Sequence, residues 1–177
     1  SRITNAGEAT YMGLELEVIA LLTETVSVDM NYGYLDAEFD EYNARNPVTN
    51  QIENIKDVVT VTRAPENTAS LGLQYSTANT GMGRLSARLD VAYTDSMVFH
   101  PFQNQFDAAD ARTLLNARIT LDELSMGENG DLRLSAWVRN LTDEEYREWG
   151  IDFGTLGWAG NTWGQPRTFG FDAVYTF

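Results

Sequence analysis

Hydrophobic and polar residues alternate in seven segments of the chain, so that every second position is apolar. The segments cover residues 8–20, 26–36, 67–77, 84–94, 110–122, 131–141 and 167–177. A period of two residues is typical of a β-strand with one apolar and one polar face, whereas an amphipathic helix repeats every 3.6 residues. The pattern therefore predicts an all-β chain of about seven antiparallel strands that follow one another as a meander.

The two faces of the predicted strands differ sharply in their chemistry. One face carries only aliphatic and aromatic side chains, such as Leu14, Leu71 and Phe171. The other carries small polar residues together with the charged residues Glu15, Glu17, Asp29, Arg84, Arg88, Asp90, Arg118, Arg133, Arg139 and Asp172. An antiparallel sandwich buries one face and wets the other, so the alternation alone does not require a membrane.

The length of the strands and the order of their connections favour a transmembrane barrel. Globular strands cluster near five or six residues, whereas eleven residues tilted by about 40° rise about 27 Å, close to the apolar band of an outer-membrane barrel. The connections 21–25, 78–83 and 123–130 are short, and 37–66, 95–109 and 142–166 are long. Outer-membrane barrels combine short periplasmic turns with long external loops.

Aromatic residues of the apolar face gather at the ends of the predicted strands. Tyr34 and Tyr93 fall at the outer ends, and Tyr75, Tyr175 and Phe177 at the inner ends. Aromatic rings with a polar tip favour the two membrane interfaces. The sequence therefore predicts a segment of an antiparallel transmembrane β-barrel, and seven strands are too few to close it.

Composition excludes several other classes of protein. The chain contains no run of the eighteen or so apolar residues that a spanning helix needs and no cysteine. The 12 basic and 26 acidic residues give a net charge of -14, which predicts that nucleic acid is not a partner. No nucleophile-elbow motif is present, and we expect neither catalysis nor a resident metal or cofactor.

The end of the chain resembles bacterial outer-membrane proteins. Phe169, Phe171, Tyr175 and Phe177 alternate up to a terminal aromatic residue, which is similar to the carboxy-terminal assembly signal of those proteins. Val138-Arg139-Asn140-Leu141-Thr142-Asp143-Glu144-Glu145-Tyr146 resembles the "N-L-x-D-x-x-Y" segment of TonB-dependent receptors. Gly164-Gln165-Pro166-Arg167-Thr168-Phe169-Gly170 is similar to the "P-R-x-x-G" entry to their final strand.

The resemblance implies a location in the bacterial outer membrane and a role in uptake. Residues 1–177 would form the C-terminal part of the barrel, with the earlier strands, the plug domain and the TonB box absent. The partners would be outer-membrane lipid, the barrel assembly machinery and, through the missing N-terminal part, the inner-membrane energy-coupling complex with TonB. The solute would be a scarce nutrient of the siderophore-iron, cobalamin or carbohydrate type.

Candidate ligand-binding residues lie in the long loops, because binding residues concentrate on loops held by a rigid scaffold. They are His100, Phe102, Trp149, Phe153, Trp158 and Trp163. The rings would stack on a small-molecule or oligosaccharide solute, or would instead support the loop itself. Two other functions remain open at this point, a passive porin-like channel and a soluble β-sandwich binding module.

Overall fold

The computed structural model describes residues 7–46, 48–81, 83–102, 104–126 and 130–177. Its long strands are β1 (Ala9–Leu21), β2 (Val26–Phe39), β5 (Asn67–Ser76), β6 (Arg84–Thr94), β9 (Arg112–Ser125), β10 (Asp131–Arg139) and β13 (Thr168–Thr176). Its short strands are β3 (Asn43–Arg45), β4 (Ile52–Asn54), β7 (Met97–Val98), β8 (Ala108–Ala109), β11 (Arg147–Asp152) and β12 (Ala159–Trp163). Single 3-10 turns form at Lys56–Val58 and Gly154–Leu156.

The seven long strands are those predicted from the alternation, and they form one antiparallel sheet in the order β1-β2-β5-β6-β9-β10-β13. Neighbours in the sheet are consecutive long strands of the chain, so the predicted meander is confirmed. The sheet is a single layer that does not close, and β1 and β13 are its edges. The sandwich alternative is therefore wrong, because the strands do not divide into two packed sheets.

The apolar face of the sheet has no partner within the described residues. Leu14, Leu71 and Phe171 expose 63%, 43% and 82% of their surface. The buried apolar side chains among the described residues are Ile55, Val61 and Ala109, all of which lie in the long connections. An apolar surface of this extent marks contact with a membrane or another molecule. No helix in the described ranges is both long and apolar enough to cross a bilayer.

The polar face carries a ladder of ion pairs that links the strands laterally. Arg88 on β6 contacts Asp90 on its own strand and Asp29 on β2. The other pairs are Arg118–Asp172 at 3.0 Å, Arg133–Asp122 at 2.7 Å and Arg84–Glu123 at 2.8 Å. This face combines charge with small residues, as the inward face of a barrel does.

Tight turns join the strands at one end of the sheet. In the first turn, Thr23 Oγ1 accepts hydrogen bonds from the backbone N–H groups of Thr25 and Val26. At the third turn, between β9 and β10, Met126 N donates to the carbonyl of Gly130. Gly130 has a φ of 122°, a value that favours glycine. A β-bulge between β9 and β10 sets Asp122 and Glu123 against Arg133, and Glu123 takes a φ of 56°. β9 runs to Ser125, three residues beyond its predicted end.

Polar residues end the apolar band at the opposite end of the sheet. Tyr32 donates a 2.7 Å hydrogen bond to Asn67 Oδ1, and Asn67 Nδ2 donates to Asp95 at 3.2 Å. Asn67 lies two positions before Ala69 and Asp95 two after Tyr93, so both continue the apolar side of their strands. The hydrogen bonds from the Asn67 side chain and the Ser96 backbone lower the pKa of Asp95. This group marks the outer limit of the apolar surface.

Candidate functional site

Three long connections lie at the end of the sheet opposite the tight turns, because they join the other ends of the meander strands. We name them loop 1 (residues 40–66), loop 2 (residues 95–111) and loop 3 (residues 140–167). Each contains a short hairpin, formed by β3 and β4, by β7 and β8, or by β11 and β12. The sequence did not predict these hairpins, since strands of two to six residues show too little alternation.

Loops 1 and 2 are joined by backbone hydrogen bonds. Thr60 N donates to the carbonyl of Pro101 at 3.0 Å, and Arg63 N donates to the carbonyl of Val98 at 2.9 Å. Val61, between the two donors, is buried, with 6% of its surface exposed. Loop 1 therefore packs on loop 2 instead of extending separately into solvent.

Loops 2 and 3 are joined through a buried carboxylate that sequence reasoning missed. Asp107 exposes 4% of its surface and accepts hydrogen bonds from Asp152 N at 2.6 Å and from Asn104 Nδ2 at 2.8 Å. The Asn104 amide also donates to Asp152 Oδ2 at 3.0 Å. The position of Asp107 in a chain with 26 acidic residues gave no signal of this role, which depends on the fold.

The guanidinium of Arg147 connects the same two loops at a second point. Arg147 Nη1 donates to the carbonyls of Gln105 at 2.7 Å and Ala108 at 2.9 Å. Arg112, at the start of β9, donates to the carbonyl of Arg147 at 3.1 Å. These bonds fix β11 against loop 2 and against the sheet, so that the loops form a single cap.

A cavity of about 240 Å³ lies where loop 2 meets β11. It brings together three of the six predicted ligand-binding residues, His100, Phe102 and Trp149. The remaining lining residues are Phe99, Asn104, Asp107, Gly150, Ile151 and Asp152. Gly150 permits the close approach of β11 to loop 2, because a Cβ at that position would lie 2.5 Å from the carbonyl oxygen of Phe106.

The other three predicted residues lie elsewhere in loop 3. Phe153 and Trp158 stack on each other, with ring centroids 3.8 Å apart, across the 3-10 turn Gly154–Leu156. The two rings contact each other within loop 3, and their role in binding a solute stays a prediction. Trp163 lines a separate hollow of about 510 Å³, and the Arg147 guanidinium lies 5.7 Å from its ring.

The two sequence motifs near the end of the chain meet at the base of loop 3. The Asn140 side chain donates to the carbonyls of Glu144 and Gln165, at 2.9 and 3.1 Å, and accepts the N–H of Glu144. Arg167 N donates to Asp143 Oδ1 at 2.9 Å. Asn140 and Asp143 have φ angles of 51° and 59°, which Asn and Asp adopt more readily than most residues.

Tyr146 packs at the same end of loop 3, where the loop meets the sheet. Its ring lies across Gly164, where a Cβ would fall 2.0 Å from the ring, and the Arg112 guanidinium lies 4.5 Å from the ring centroid. The motifs therefore hold the two ends of loop 3 together above β10 and β13. Among the described residues, no group of three or more His, Asp or Glu side chains is placed to hold a metal ion.

A single antiparallel sheet with an exposed apolar face, a charged opposite face and a cap of joined loops defines a segment of a transmembrane β-barrel. The sequence model of the family "TonB dependent receptor-like, beta-barrel" matches residues 1–141. The chain belongs to this family, which confirms the resemblance found in the sequence.

Solved structures with the same fold cover nearly the whole chain. The ferric yersiniabactin uptake receptor FyuA from Yersinia pestis is 23% identical with a TM-score of 0.76, and the match covers 98% of this chain and 24% of FyuA. The ferric preacinetobactin receptor BauA from Acinetobacter baumannii is 20% identical with a TM-score of 0.70, covering 97% of this chain and 23% of BauA.

The siderophore receptor PiuA from Acinetobacter baumannii is 16% identical with a TM-score of 0.70, covering 94% of this chain and 22% of PiuA. The chain thus spans about a quarter of the length of the receptors whose structures it matches. A search of curated proteins finds no match to the chain.

Proposed function

We propose that the chain is the C-terminal part of an outer-membrane receptor that takes up a scarce solute by TonB-coupled active transport. The observation that carries the proposal is the cap, in which three loops are hydrogen-bonded into one body above a membrane-type sheet. A rigid cap with a cavity can select a solute, whereas flexible separate loops would leave the barrel mouth open. The plug and the earlier strands would lie outside residues 1–177, and TonB would engage the protein there.

A siderophore-iron complex is the solute class that we propose first. Support comes from the solved structures of the same fold, which are named as receptors for ferric yersiniabactin, ferric preacinetobactin and siderophores. Trp149, Phe102 and His100 supply ring faces that suit an aromatic or heterocyclic chelator. His100 Nδ1 accepts the N–H of Phe102 at 3.3 Å, which leaves Nε2 for the ligand.

The charge of the cap favours a neutral or cationic complex. Loop 3 contains Asp143, Glu144, Glu145, Glu148 and Asp152 against Arg147 and Arg167. An acidic rim raises the local concentration of cations and repels anions. Cobalamin and carbohydrates remain alternatives, since both also bind to aromatic surfaces.

The test is uptake of radioactive iron by cells that produce the full-length protein and lack their other siderophore receptors. A panel of neutral, cationic and anionic ferric chelates serves as the probe. We expect uptake of a neutral or cationic chelate that stops when TonB is deleted. Trp149→Ala should raise the half-saturating concentration, while Val48→Ala, at an exposed position of loop 1, serves as the control.

The passive-channel alternative gives a different result. A porin-like protein would admit small sugars into liposomes, and its transport would not depend on TonB. Binding of cyanocobalamin or of maltooligosaccharides, without binding of any ferric chelate, would keep the receptor class and replace the siderophore.

A further inference from the structure

The cavity between loop 2 and β11 combines aromatic rings with two carboxylates that have no cationic partner. Phe99, Phe102 and Trp149 line it together with Asp107 and Asp152. Among the described residues, neither carboxylate forms a salt bridge with an Arg, Lys or His side chain. Asp107 exposes only 4% of its surface, and a carboxylate buried to this degree is usually paired with a cation or a metal.

The guanidinium that connects the two loops does not pair with these carboxylates. Arg147 Nη1 donates instead to the backbone carbonyls of Gln105 and Ala108. The polar face of the sheet differs, since its ladder of ion pairs brings carboxylates within 3.0 Å of guanidinium groups. The two carboxylates of the cavity therefore lack the direct neutralisation that the ladder provides.

The two carboxylates share one donor and retain acceptor sites for others. The Asn104 side chain donates to Asp107 Oδ2 at 2.8 Å and to Asp152 Oδ2 at 3.0 Å. Their other oxygens accept backbone N–H groups, Asp107 Oδ1 from Asp152 and Asp152 Oδ1 from Gly154. Each of these oxygens thus has one donor, whereas a carboxylate offers about four lone-pair sites in all. About half of the sites remain for a ligand that donates hydrogen bonds.

A protonated amine is the ligand group that best matches this lining. An ammonium group has three N–H donors and no acceptor, and aromatic faces attract a cation electrostatically. A hard metal ion such as Mg²⁺ requires about six oxygen ligands, and the described residues place no group of three or more His, Asp or Glu side chains for one. A neutral hydroxyl group would leave the charge of the two carboxylates uncompensated.

We propose that the cavity binds the ammonium group of a solute, with the charge held by Asp107 and Asp152 and the attached carbon atoms packed against Trp149. The cavity volume of about 240 Å³ is below the range of about 300–1,000 Å³ that is typical of sites for drug-sized ligands. It therefore accommodates an amine-bearing arm and not a whole ferric chelate. The inference rests on the proposed uptake function, whose solute it narrows to a chelate with a protonated amine.

The test is a titration of the full-length protein, in an uncharged detergent at neutral pH, with cyclohexylammonium and with its neutral counterpart cyclohexanol. Hydrogen exchange at residues 104–109 and 150–154 reports occupancy, because these segments contain lining residues of the cavity. We expect cyclohexylammonium to give half-maximal protection at a concentration about tenfold lower than cyclohexanol, which lacks the cation–π and charge-assisted contacts.

Two carboxylate variants separate the cavity from the acidic rim. Asp152→Asn should lower the preference for the ammonium several-fold and leave the weaker binding of cyclohexanol in place. Glu148→Gln is the matched control and should retain the wild-type preference, since Glu148 lies on the same strand but outside the described lining.

Three results would overturn the proposal. They are equal affinities of the wild-type protein for the two probes, a preference that Asp152→Asn retains in full, and an equal loss of preference in Glu148→Gln. The wild-type comparison decides even if Asp152→Asn disorders loop 3.

Binding in the cavity and uptake by cells fail separately. TonB-dependent uptake of a chelate, together with equal affinities for the two probes, would overturn the amine site and keep the proposed function. Selective binding of cyclohexylammonium without TonB-dependent uptake of any chelate would keep the amine site and overturn the proposed function.

Discussion

The guanidinium of Arg88 on β6 forms two hydrogen bonds with the carboxylate of Asp29 on β2, at 2.9 and 3.1 Å. The strand between them, β5, has Gly72 directly opposite Asp29. A Cβ at position 72 would lie 2.2 Å from Arg88 Nη2 and 2.5 Å from Asp29 Oδ2. The ion pair therefore crosses a whole strand, and it does so because that strand has no side chain at the crossing point.

Gly72→Ala should destabilise the sheet by displacing this pair. Forcing a methyl group into filled space costs about 1–3 kcal/mol. The measurement is the urea midpoint of the full-length barrel refolded in lipid vesicles. Gly81→Ala is the matched control, since a Cβ there meets nothing within 4 Å. Equal urea midpoints for the two variants would show that Arg88 and Asp29 can form their ion pair without the space at Gly72.

Asn140→Ala should loosen the base of loop 3. The substitution removes three hydrogen bonds of a side chain that is 5% exposed, and buried groups left unpaired cost about 1–3 kcal/mol. Asn140→Gly also removes the hydrogen bonds, but glycine tolerates the φ of 51°. The difference between the two variants therefore measures the cost of backbone strain in the Ala variant. We expect both variants to speed proteolysis within loop 3, with Ala the faster. Unchanged proteolysis in both would refute the anchoring role.

Asp107→Ala should uncouple loop 2 from loop 3 without disturbing the sheet. Hydrogen bonds to a charged group contribute about 1.5–3 kcal/mol, and the substitution removes those from Asp152 N and Asn104 Nδ2. Hydrogen exchange should rise at residues 104–109 and 150–154 and stay unchanged in β1 and β2. Asp110→Ala, an exposed carboxylate of the same loop, is the control. An increase spread over the whole sheet would contradict a local joint.

The outer rim should show a pH dependence that Asn67 controls. Because the folded state lowers the pKa of Asp95, this carboxylate adds stability above its unfolded pKa of about 3.9. The contribution is lost as the pH falls through the lowered folded value. Asn67→Ala should therefore destabilise the barrel at neutral pH and have a smaller effect in acid. A difference between variant and wild type that is constant from neutral to acidic pH would refute this account.

Removal of the terminal ring tests the predicted assembly signal. Phe169, Phe171 and Phe177 expose 76%, 82% and 101% of their surface, so their packing within this chain cannot account for them. Phe177→Ala should reduce the amount of assembled barrel in the outer membrane while leaving refolding in detergent unchanged. Val174→Ala, on the opposite face of β13, is the control. Loss of refolding in detergent would instead show that Phe177 acts in stability.

The sequence predicted the long strands because each carries its own alternation, which is local information. The bulge at Glu123 escaped prediction, since a left-handed residue that is neither Gly nor Asn leaves no sequence signal. The three loop hairpins depend on contacts between loops, as in the bonds from Thr60 to Pro101 and from Arg147 to Ala108. Prediction of the site was limited for the same reason, because it too depends on contacts between residues distant in sequence. The aromatic residues of loop 3 are visible in the sequence, but only the fold shows that Trp149 lines a cavity and that Trp158 stacks on Phe153.

The buried apolar side chains Ile55, Val61 and Ala109 belong to the loops and not to the strands. In most domains the scaffold has the core and the loops are free to vary. Here the long strands expose their apolar side chains, while the cap has a small interior of its own. Substitutions at exposed positions such as Val48 and Leu156 should therefore leave this interior intact, whereas a polar residue at Val61 should separate loop 1 from loop 2.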